Sequence, residues 1–460
     1  MAERSEAVQE QVVRDALAAY AVKPESATAE DVPLGYKRTE VGVIPEDWVV
    51  LRLGDRATFK KGFGLSKADL SESGSHQCIH YGQLYTLYGE VINEVVSRTD
   101  RSIRNATVSR EKDVLMPTSD VTPRGLATAS CLAQGNVYLG GDILVIRPDA
   151  NELVGEYLAY AVKVFRHRIM RLVSGTTVYH LYPRDMAQFR FPVPNVGEQH
   201  AIATALSDAD ALIESLDRLI AKKRAIKQAA MQQLLTGQTR LPGFTGEWET
   251  KRLGNVASFH KGSGLSKADL LVDGSSPCIH YGELFTQYGE RITSVNSRTD
   301  RKAACFKSIE NDVLMPTSDV TPSGLATASC IANSNVILGG DILIIRPTGS
   351  EIDGTFLAYK IRMDHRQIMQ LVSGTTVFHI YGRDMAEFTY KAPAIEEQQA
   401  IVSVLSDMDT EIESLERRRV KARQIKQGMM QQLLTGRVRL VAPGPTVGGD
   451  SVAVEQESAE

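Results

Sequence analysis

The sequence predicts an α+β fold in which two strand-rich mixed domains are joined by two long antiparallel coiled-coil helices, with pseudo-two-fold symmetry. The first observation is a repeat: residues 113–131 and 312–330 differ at one position, where Arg124 stands against Ser323. The second is that each repeat begins with short β-branched runs broken by Gly, Pro, Asp and Asn, as strands are. The third is that each repeat closes on apolar residues at the spacing of a coiled coil.

The repeat covers most of the chain. Residues 48–101 align with 248–301 at an offset of 200, and residues 113–237 align with 312–436 at an offset of 199. Two copies are short of the roughly three or more units that a solenoid needs. The expected product is a pseudo-symmetric molecule, and duplex DNA, which is itself two-fold symmetric, is the leading candidate partner.

Composition bounds the class of protein. The chain has 460 residues, of which 43% are hydrophobic and 23% charged, as in an ordinary soluble protein of several domains. No apolar run approaches about 18 residues, so no membrane span is expected. The N-terminus lacks a basic-then-apolar signal, which predicts a cytoplasmic location. The net charge of −4 argues against indiscriminate nucleic-acid binding, although the location of charge matters more than its sum.

Cysteine usage predicts reduced, mostly buried thiols. The five cysteines are widely spaced, odd in number and without a CxxC motif. A zinc site at Cys78 and His80 would lack its second pair of ligands, so no metal is expected.

The chain is predicted to fall into six segments. The N-terminal segment has helical apolar spacing at residues 6–20, and the C-terminal segment is rich in Pro, Gly and acidic residues with little to bury. The segments are 1–34 (N-terminal helix and linker), 35–196 (first strand-rich domain), 197–237 (first coiled-coil helix), 238–395 (second strand-rich domain), 396–437 (second coiled-coil helix) and 438–460 (disordered tail).

Within the first strand-rich domain, β-branched runs predict strands at VLRLGD (50–55), NVYLGGDILVIRP (136–148) and FRFPVP (189–194). The segment between the last two predicts a single helix that begins near residues 152–155 and ends before Gly175.

The coiled-coil segments are the strongest secondary-structure signal. Each is about 38 residues long, about 57 Å at ~1.5 Å per residue, and ends at MQQLLTG with Gly237 or Gly436 as the C-terminal cap. A helix of that length needs a partner along its apolar stripe, and the two copies are obvious partners for each other. The stripe residues are Leu206, Ala209, Ile213, Leu216 and Ile220 in the first copy, and Leu405, Met408, Ile412 and Leu415 in the second.

Several segments resemble specificity (S) subunits of type I restriction-modification systems. They are GYKRTEVGVIPEDW (35–48), TRLPGFTGEW (239–248) and the closing segments 174–237 and 373–436. The resemblance covers residues 35–440, with every element in order twice. It implies two target recognition domains that alternate with two conserved helices, in a non-catalytic subunit that reads a bipartite DNA target.

The chain departs from that family in one respect. Family members usually have unlike recognition domains, whereas here the two domains are close copies. Like domains on opposite strands would read like bases, so the expected target is nearly an inverted repeat, with half-sites about 10 base pairs apart.

The resemblance also implies partners and cofactors. Two modification (methyltransferase) subunits would bind this chain, carry S-adenosylmethionine and methylate adenine N6. Two restriction subunits would add translocation and cleavage driven by ATP with magnesium, and no cofactor would be bound by this chain itself. The residues expected to serve partner binding are Leu206, Ile213, Leu216, Ile220, Leu405, Ile412 and Leu415.

Two pairs of basic segments are predicted to contact DNA, and each also has a structural interpretation. The first pair is the turns KKGFGLSKADL and HKGSGLSKADL, whose glycines allow the backbone to approach a phosphate closely while lysine supplies the counter-charge. The structural alternative is that they are solvated turns. The SRTDR segments offer arginines to guanine edges, or hold them in pairs with Asp100 and its equivalent. The predicted contacts are Lys60, Lys61, Arg98, Arg101, His260, Lys261, Arg298 and Arg301.

Two further pairs of segments are irregular and rich in hydroxyl groups. The TSDVTP loops offer Ser and Thr to phosphate and Asp to cytosine, or close Asx and ST turns on themselves. The other pair of segments is SGTTVYHLYPRD and SGTTVFHIYGRD. Their aromatic and basic residues suit contact with a DNA groove. The structural alternative is that each segment ends a helix and that His180 and His379 are buried. The predicted contacts are Thr118, Ser119, Asp120, Arg124, Thr176, Thr177, Tyr179, Arg184, Thr317, Ser318, Asp319, Thr375, Thr376 and Arg383.

Two rival functions stay open at the level of sequence: an enzyme with a duplicated catalytic domain, and a coiled-coil scaffold that never binds DNA. Against the enzyme, the sequence holds no NPPY- or DPPY-like motif, no P-loop and no persuasive nuclease carboxylate cluster.

Overall fold

The computed structural model of the chain describes residues 32–101, 106–301 and 305–440. The predicted N-terminal helix and nearly all of the predicted tail lie outside these residues. The chain forms two compact units that are interleaved in sequence: the first unit combines the residues up to Glu214 with those from Val420 onward, and the second unit is Ser215–Arg419.

The first unit contains the first strand-rich domain. Its elements are β1 (Tyr36–Thr39), β2 (Gly42–Pro45), β3 (Val49–Arg52), β4 (Ala57–Lys61), β5 (His76–Ile79), α1 (Gln83–Thr86), β6 (Val91–Ile92), β7 (Arg98–Thr99), β8 (Thr107–Val108), β9 (Val114–Pro117), β10 (Ser119–Asp120), β11 (Ser130–Leu132), β12 (Tyr138–Leu139), β13 (Ile143–Pro148), α2 (Gly155–Val164), α3 (Arg166–Ile169), β14 (Tyr179–His180), α4 (Pro183–Met186), β15 (Arg190–Val193) and the start of α5 (Val196–Leu234).

The second unit contains the end of α5 and the second domain. The further elements are β16 (Glu249–Arg252), α6 (Leu253–Val256), β17 (Ala257–Lys261), β18 (Ser276–Ile279), α7 (Glu283–Thr286), β19 (Arg291–Ile292), β20 (Arg298–Thr299), β21 (Phe306–Lys307), β22 (Val313–Pro316), β23 (Ser318–Asp319), β24 (Ser329–Ile331), β25 (Ile337–Leu338), β26 (Ile342–Pro347), α8 (Gly354–Met363), α9 (His365–Leu371), β27 (Phe378–His379), α10 (Gly382–Met385), β28 (Thr389–Ala392) and α11 (Ile395–Leu433), whose C-terminal end belongs to the first unit.

Each domain is built on two mixed sheets. In the first unit a five-stranded sheet runs β4-β13-β9-β11-β6 and a four-stranded sheet runs β7-β5-β12-β8. β6 is parallel to β11 and β5 is parallel to β12, whereas β4, β13 and β9 pair antiparallel. The second unit repeats both orders, as β17-β26-β22-β24-β19 and β20-β18-β25-β21. The predicted α+β class with two like strand-rich domains is confirmed.

The central strands β9 and β13 are buried on both faces, which explains why their sequences are continuously apolar. Side chains alternate along a strand, so each strand serves two cores. Met116 and Leu144 face the core that contains α2, whereas Leu115 and Val145 face a second core with Leu84 of α1.

The two long helices have the predicted length and position. α5 and α11 are each 39 residues long. Gly237 and Gly436, the predicted caps, follow the helices with φ of +72° and +73°, the left-handed conformation that glycine adopts at helix ends.

Each domain core takes in parts of both helices. In the first unit, Ile202 and Leu206 of α5 lie in one apolar cluster with Met430 and Leu433 of α11. In the second unit, Ile401 and Leu405 of α11 cluster with Met231 and Leu234 of α5 and with Leu235, which follows α5. Each domain is therefore completed by the start of the helix that follows it and the end of the other helix.

The helices pair antiparallel. Within the second unit, ion pairs join Asp217 to Arg419 at 3.0 Å, Lys223 to Glu411 at 2.7 Å and Lys227 to Asp409 at 2.6 Å. The residue number rises on α5 while it falls on α11, so the predicted antiparallel arrangement is confirmed.

The expected partner-binding role of the stripe residues needs correction. Six of the seven residues are buried inside this chain, and Ile213 is half-buried. Leu206 and Leu405 belong to the two domain cores. A partner could therefore not reach the six buried residues and would meet other side chains. The exposed large apolar residues on the two helices are Leu212, Leu219, Ile226, Val420 and Ile425.

The helix predicted between residues 152 and 174 is in fact two helices, α2 and α3. The break falls at Phe165, whose φ and ψ are −93° and 22° and whose ring is buried in the core. In the second domain the equivalent break is at Asp364, which accepts a hydrogen bond from the Gln367 N–H at 3.2 Å. No Gly or Pro marks the break, so the sequence pattern continued through it.

The cysteine prediction is confirmed for the described residues. Cys78, Cys131, Cys278 and Cys330 are free and buried, and Cys305 is half-buried. Burial raises the pKa of the Cys78 and Cys278 thiols to about 11. Over the described ranges, no His, Cys, Asp and Glu side chains group as a metal site, and no helix is long and apolar enough to cross a membrane.

Candidate nucleic-acid interface

Two of the predicted DNA-contacting segments are brought together into one ribbon. β10 pairs antiparallel with β14, with Ser119 opposite His180 and Asp120 opposite Tyr179. The Leu181 N–H also donates to the Thr118 carbonyl at 3.0 Å. We call β10 and β14, with residues 121–124 and 174–178 that flank them, the first recognition ribbon. The second recognition ribbon is β23 and β27 with residues 320–323 and 373–377.

The recognition ribbons present hydroxyl groups, cations and apolar side chains to solvent. On the first ribbon Thr176, Thr177 and Arg124 are exposed, and Val121 is 73% exposed. Arg184, just beyond β14, is 82% exposed and lies 5.4 Å from the centre of the Tyr182 ring. Thr375, Thr376 and Arg383 repeat this exposure on the second ribbon. Such a mixture suits phosphate contact and base reading at one surface.

His180 and His379 do not have the buried position of the structural interpretation. Both are half-buried on the ribbons, and each stacks near a tyrosine, with ring centres 6.0 Å apart for His180 and Tyr182 and 6.1 Å apart for His379 and Tyr381. Tyr179 is half-buried on the same strand as His180.

The aspartates of the TSDVTP loops stabilise the loops themselves. Asp120 accepts hydrogen bonds from the Thr122 N–H at 3.3 Å and the Thr122 hydroxyl at 3.4 Å. Asp319 accepts from the Val320 N–H at 2.7 Å and the Thr321 hydroxyl at 2.9 Å. A Cβ on Gly125 would lie 1.4 Å from Asp120 Oδ2, so this close approach requires glycine. The turn interpretation therefore holds for both aspartates, and a base contact by either one stays a prediction.

Asp142 links a glycine-rich turn to the base of the first ribbon. Its carboxylate lies 3.8 Å from Lys61 Nζ and accepts from the Thr118 hydroxyl at 3.4 Å. Lys261 and Asp341 repeat the ion pair at 3.8 Å, and the Asp341 carbonyl accepts from the N–H of Thr317, which is buried. Lys61 and Lys261 therefore lie beside the ribbons, where a phosphate could meet them.

The neighbouring residues Lys60 and His260 face away from these lysines, because successive side chains of a strand point to opposite faces. Lys60 is exposed. His260 is half-buried, 3.2 Å from the Ser258 hydroxyl and 5.2 Å from the centre of the Phe306 ring. The two positions therefore differ in environment as well as in residue type.

The SRTDR arginines brace a loop of the domain. Arg98 Nη2 donates to the Ser75 carbonyl at 3.2 Å, and Arg101 pairs with Asp69 at 2.6 Å. The Ser66 hydroxyl and N–H, together with Arg101, lower the pKa of the Asp69 carboxyl to about 2. The structural interpretation holds, but with different partners, because Asp100 instead accepts from the Ser75 N–H at 2.8 Å.

The second domain repeats this bracing. Arg298 donates to the Ser275 carbonyl at 3.2 Å, and Arg301 pairs with Asp269 at 3.0 Å. DNA contact by these four arginines stays a prediction. Arg101, Arg298 and Arg301 are exposed, whereas Arg98 is half-buried and is the least accessible of the four.

Sequence reasoning missed the aromatic residues that adjoin the first ribbon. The Tyr85 hydroxyl donates to the Ser119 carbonyl at 3.2 Å, and the Tyr81 ring meets Tyr85 edge-on at 6.5 Å. Burial and the charge of Asp120 raise the pKa of Tyr85. His80 lies beside Tyr81, and burial lowers the pKa of its imidazole. The available signal was the four-residue spacing of the two tyrosines, with Tyr85 on α1 and Tyr81 in the turn before it.

Comparison with known proteins agrees with a DNA-reading architecture. A family model described as the type I restriction modification DNA specificity domain matches residues 45–222 and again 245–422. The type I restriction enzyme MjaVIII specificity subunit of Methanocaldococcus jannaschii is 21% identical over 421 residues, 86% of this chain and 94% of its own. The MjaIX specificity subunit of the same organism is 22% identical over 264 residues, 52% of this chain and 58% of its own.

A solved structure shares the fold. The S subunit of a type I restriction-modification system from M. genitalium superposes with a TM-score of 0.58 at 18% identity, over 84% of this chain and 96% of that one.

Proposed function

This chain belongs to the type I restriction-modification DNA specificity family, and we propose that its two recognition ribbons read two nearly inverted half-sites of one bipartite DNA target. The observation that carries the proposal is the near-identity of the ribbons, which differ at Arg124 against Ser323 and Tyr179 against Phe378. Thr176, Thr177 and Arg184 recur as Thr375, Thr376 and Arg383, and the two ribbons have the same strand register. Like side chains read like bases. On antiparallel strands, two like readings make an inverted repeat.

Arg124 would distinguish the half-sites most sharply. The other differences between the candidate contact loops are Lys60 against His260, Phe63 against Ser263 and Pro183 against Gly382. Arg124 is exposed beside the first ribbon, and Ser323 stands in its place in the second. A bidentate contact from arginine to guanine discriminates by about 1–3 kcal/mol, and serine cannot make it. The target should therefore depart from perfect symmetry at the base pair that Arg124 reads.

The chain would supply recognition, and its partners would supply the chemistry. Two methyltransferase subunits carrying S-adenosylmethionine would dock on exposed apolar side chains of the helices, such as Leu219 and Ile226, which are 38% and 44% exposed. Two restriction subunits would bring ATP- and magnesium-dependent cleavage, all in the cytoplasm. Because this chain carries a net charge of −4, it should bind DNA weakly by itself and tightly with the methyltransferase subunits.

Methylation sequencing of a host that carries this system tests the reading of the target. The expected motif is two nearly inverted half-sites around a spacer, with one unsymmetrical base pair. Arg124→Ser should make the motif symmetric, whereas Arg56→Ser, which removes an arginine paired with Glu152 on the surface, should leave it unchanged. Two unrelated half-sites would show that the repeat does not encode symmetric recognition.

The two rival functions have their own assays. Methyl transfer or DNA cleavage by the purified chain alone would support a duplicated catalytic domain. Absence of a footprint on the target when the chain is assembled with its methyltransferase subunits would support a scaffold without DNA reading.

A further inference from the structure

The first unit contains a large cleft between the strand-rich domain and the helix segments of the same unit. Its volume is about 1070 Å³, and its lining includes Tyr85, Arg124, Arg166, His167 and Arg423. We propose that this cleft holds the sugar–phosphate backbone of DNA beside the first half-site. The protein would then make more phosphate contacts at the first half-site than at the second, and we call this extra contact the grip. The proposal rests on the proposed function and adds to it a site that base reading does not require.

The carboxylates of the cleft are already neutralised. Lys426 lies 2.7 Å from Glu90 and 2.5 Å from Asp210, and Lys163 pairs with Glu90 as well. By contrast, Arg124 and Arg166 have no carboxylate at ion-pair distance among the residues that the structure describes. The cleft therefore presents positive charge that the fold itself does not balance.

The cations of the cleft are held in an unfavourable arrangement. Burial, and then the positive charge of Arg124, lower the pKa of Arg166. Burial, and then Arg168, Arg171 and Arg166, lower the pKa of His167. Gathering half-desolvated like charges costs stability. A polyanion that entered the cleft would relieve that cost, since it would supply the missing counter-charge.

The cleft adjoins the surface that is proposed to read bases. Arg124 belongs to the flank of the first recognition ribbon and also lines the cleft. Tyr85 does the same, because its hydroxyl bonds to the Ser119 carbonyl of β10. A duplex on the ribbon would thus carry its own backbone toward the cleft, and this continuity selects DNA over an unrelated anion.

The second unit offers a much weaker site. Its equivalent cleft is smaller, about 730 Å³, and is lined by Glu290, Arg362, Asp364 and His365. Ser323 replaces Arg124 there, His365 replaces Arg166 and Asp364 replaces Phe165. Arg366 stands in the place of His167 but does not line the cleft. Arg362 donates to the carbonyls of Ala328 and Tyr288, so its guanidinium serves the fold. The proposed grip is accordingly a property of the first half of the molecule.

Salt titration of DNA binding tests the proposal on the complex with its methyltransferase subunits. The double variant Arg124→Gln, Arg166→Gln should lower the slope of log K against log salt by about 0.9 for each phosphate that the protein no longer neutralises, up to about 1.8. A fourfold rise in salt would then weaken the variant roughly tenfold less than the parent. Conversely, His365→Arg should steepen the slope by up to about 0.9.

Matched controls separate phosphate binding from net charge. Arg56→Gln with Arg252→Gln removes the same charge from surface pairs with Glu152 and Glu387, and should leave the slope unchanged. Each variant is also compared with the parent by thermal unfolding, and Arg166→Gln should not lower the midpoint because it removes a repulsion.

Two results would overturn the grip. One is a slope that falls no further than in the control pair. The other is failure of the variant to assemble with the methyltransferase subunits although it unfolds at the parent's midpoint, which would assign the cleft to an acidic protein segment. Titrating a target duplex and an unrelated duplex in parallel separates failure of the grip from failure of the proposed function. Absence of any preference for the target duplex would refute specific reading. The slope on the unrelated duplex would still decide whether the cleft binds phosphate.

Discussion

Replacing Lys426 by methionine should destabilise the first unit by about 3 kcal/mol, since breaking a buried ion pair costs roughly 3–5 kcal/mol and leaves a charge unpaired. The Lys426 side chain is 10% exposed and pairs with both Glu90 and Asp210. Its Nζ also lies 5.3 Å from the centre of the Tyr160 ring. The lower end of the range applies because Lys163 remains to pair with Glu90.

A second substitution should restore much of the stability. In Lys426→Met, the Glu90 side chain is left in a buried site with one of its two cations gone. Adding Glu90→Gln removes the carboxylate charge, which Lys163 alone then had to balance, so the double variant should regain about 2 kcal/mol, the coupling expected of contacting residues.

The two tryptophans allow the first unit to be observed alone. Trp48 is fully buried in the core that contains Met430 and Leu433 of α11, whereas Trp248 lies in the second unit. In a Trp248→Phe background, denaturant unfolding followed by tryptophan fluorescence reports the first unit. Lys227→Met is the matched control, because Lys227 pairs with Asp409 in the second unit and should leave the Trp48 transition in place.

The stability difference should also depend on pH. Burial favours a raised pKa for Glu90, but the charges of Lys163 and Lys426 outweigh it and lower the pKa below its ordinary value of 4.5. A carboxyl with a lowered pKa in the folded state stabilises fully above 4.5 and loses that contribution as the pH falls through the folded value. The gap between wild type and Lys426→Met should therefore be full at neutral pH and shrink below pH 4.5. A gap under about 1 kcal/mol at neutral pH, or one that persists undiminished in acid, would refute a buried, charge-paired Lys426.

Three further predictions concern other parts of the chain. Leu216→Asp should unfold the helix pairing, because Leu216 is buried, whereas Leu219→Asp should leave the fold intact and abolish co-purification of methyltransferase subunits; normal assembly of Leu219→Asp would argue against docking there. Gly125→Ala should distort the first recognition ribbon and lower target binding, as its Cβ would strike Asp120, while Gly246→Ala meets no atom within 4 Å and should bind normally. Under native conditions a thiol reagent should label Cys305 first, since the other four cysteines are buried; rapid labelling of all five, read by mass spectrometry, would contradict the described cores.

The long helices could be predicted from the sequence because their signals are local and sustained. The apolar spacing continues over 39 residues, and each helix is followed by a glycine at positive φ. The strands at residues 49–52, 143–148 and 190–193 were predicted for the same reason, since each is a β-branched run between turn residues.

The recognition ribbon could not be predicted, because its strands are two residues long and are distant in sequence. No periodicity develops over so short a length, and the pairing of Ser119 with His180 depends on the whole domain. The inward bonds of Arg98 were hidden for a similar reason: an arginine in a short polar segment has the same pattern whether its guanidinium faces DNA or the Ser75 carbonyl. Residue type indicated which segments matter, and long-range contacts decided which side chains remain exposed.

The interleaving of the two units imposes an order on synthesis at the ribosome. The second unit is one continuous stretch, Ser215–Arg419, whereas the core of the first unit includes Met430, Leu433 and Leu434. The part of the chain made first therefore cannot complete its core until the last helix has emerged, although the second unit already has all of its residues. A nascent chain would thus carry an unfinished apolar face through most of translation, and a separately supplied copy of the closing helix could occupy that face in advance.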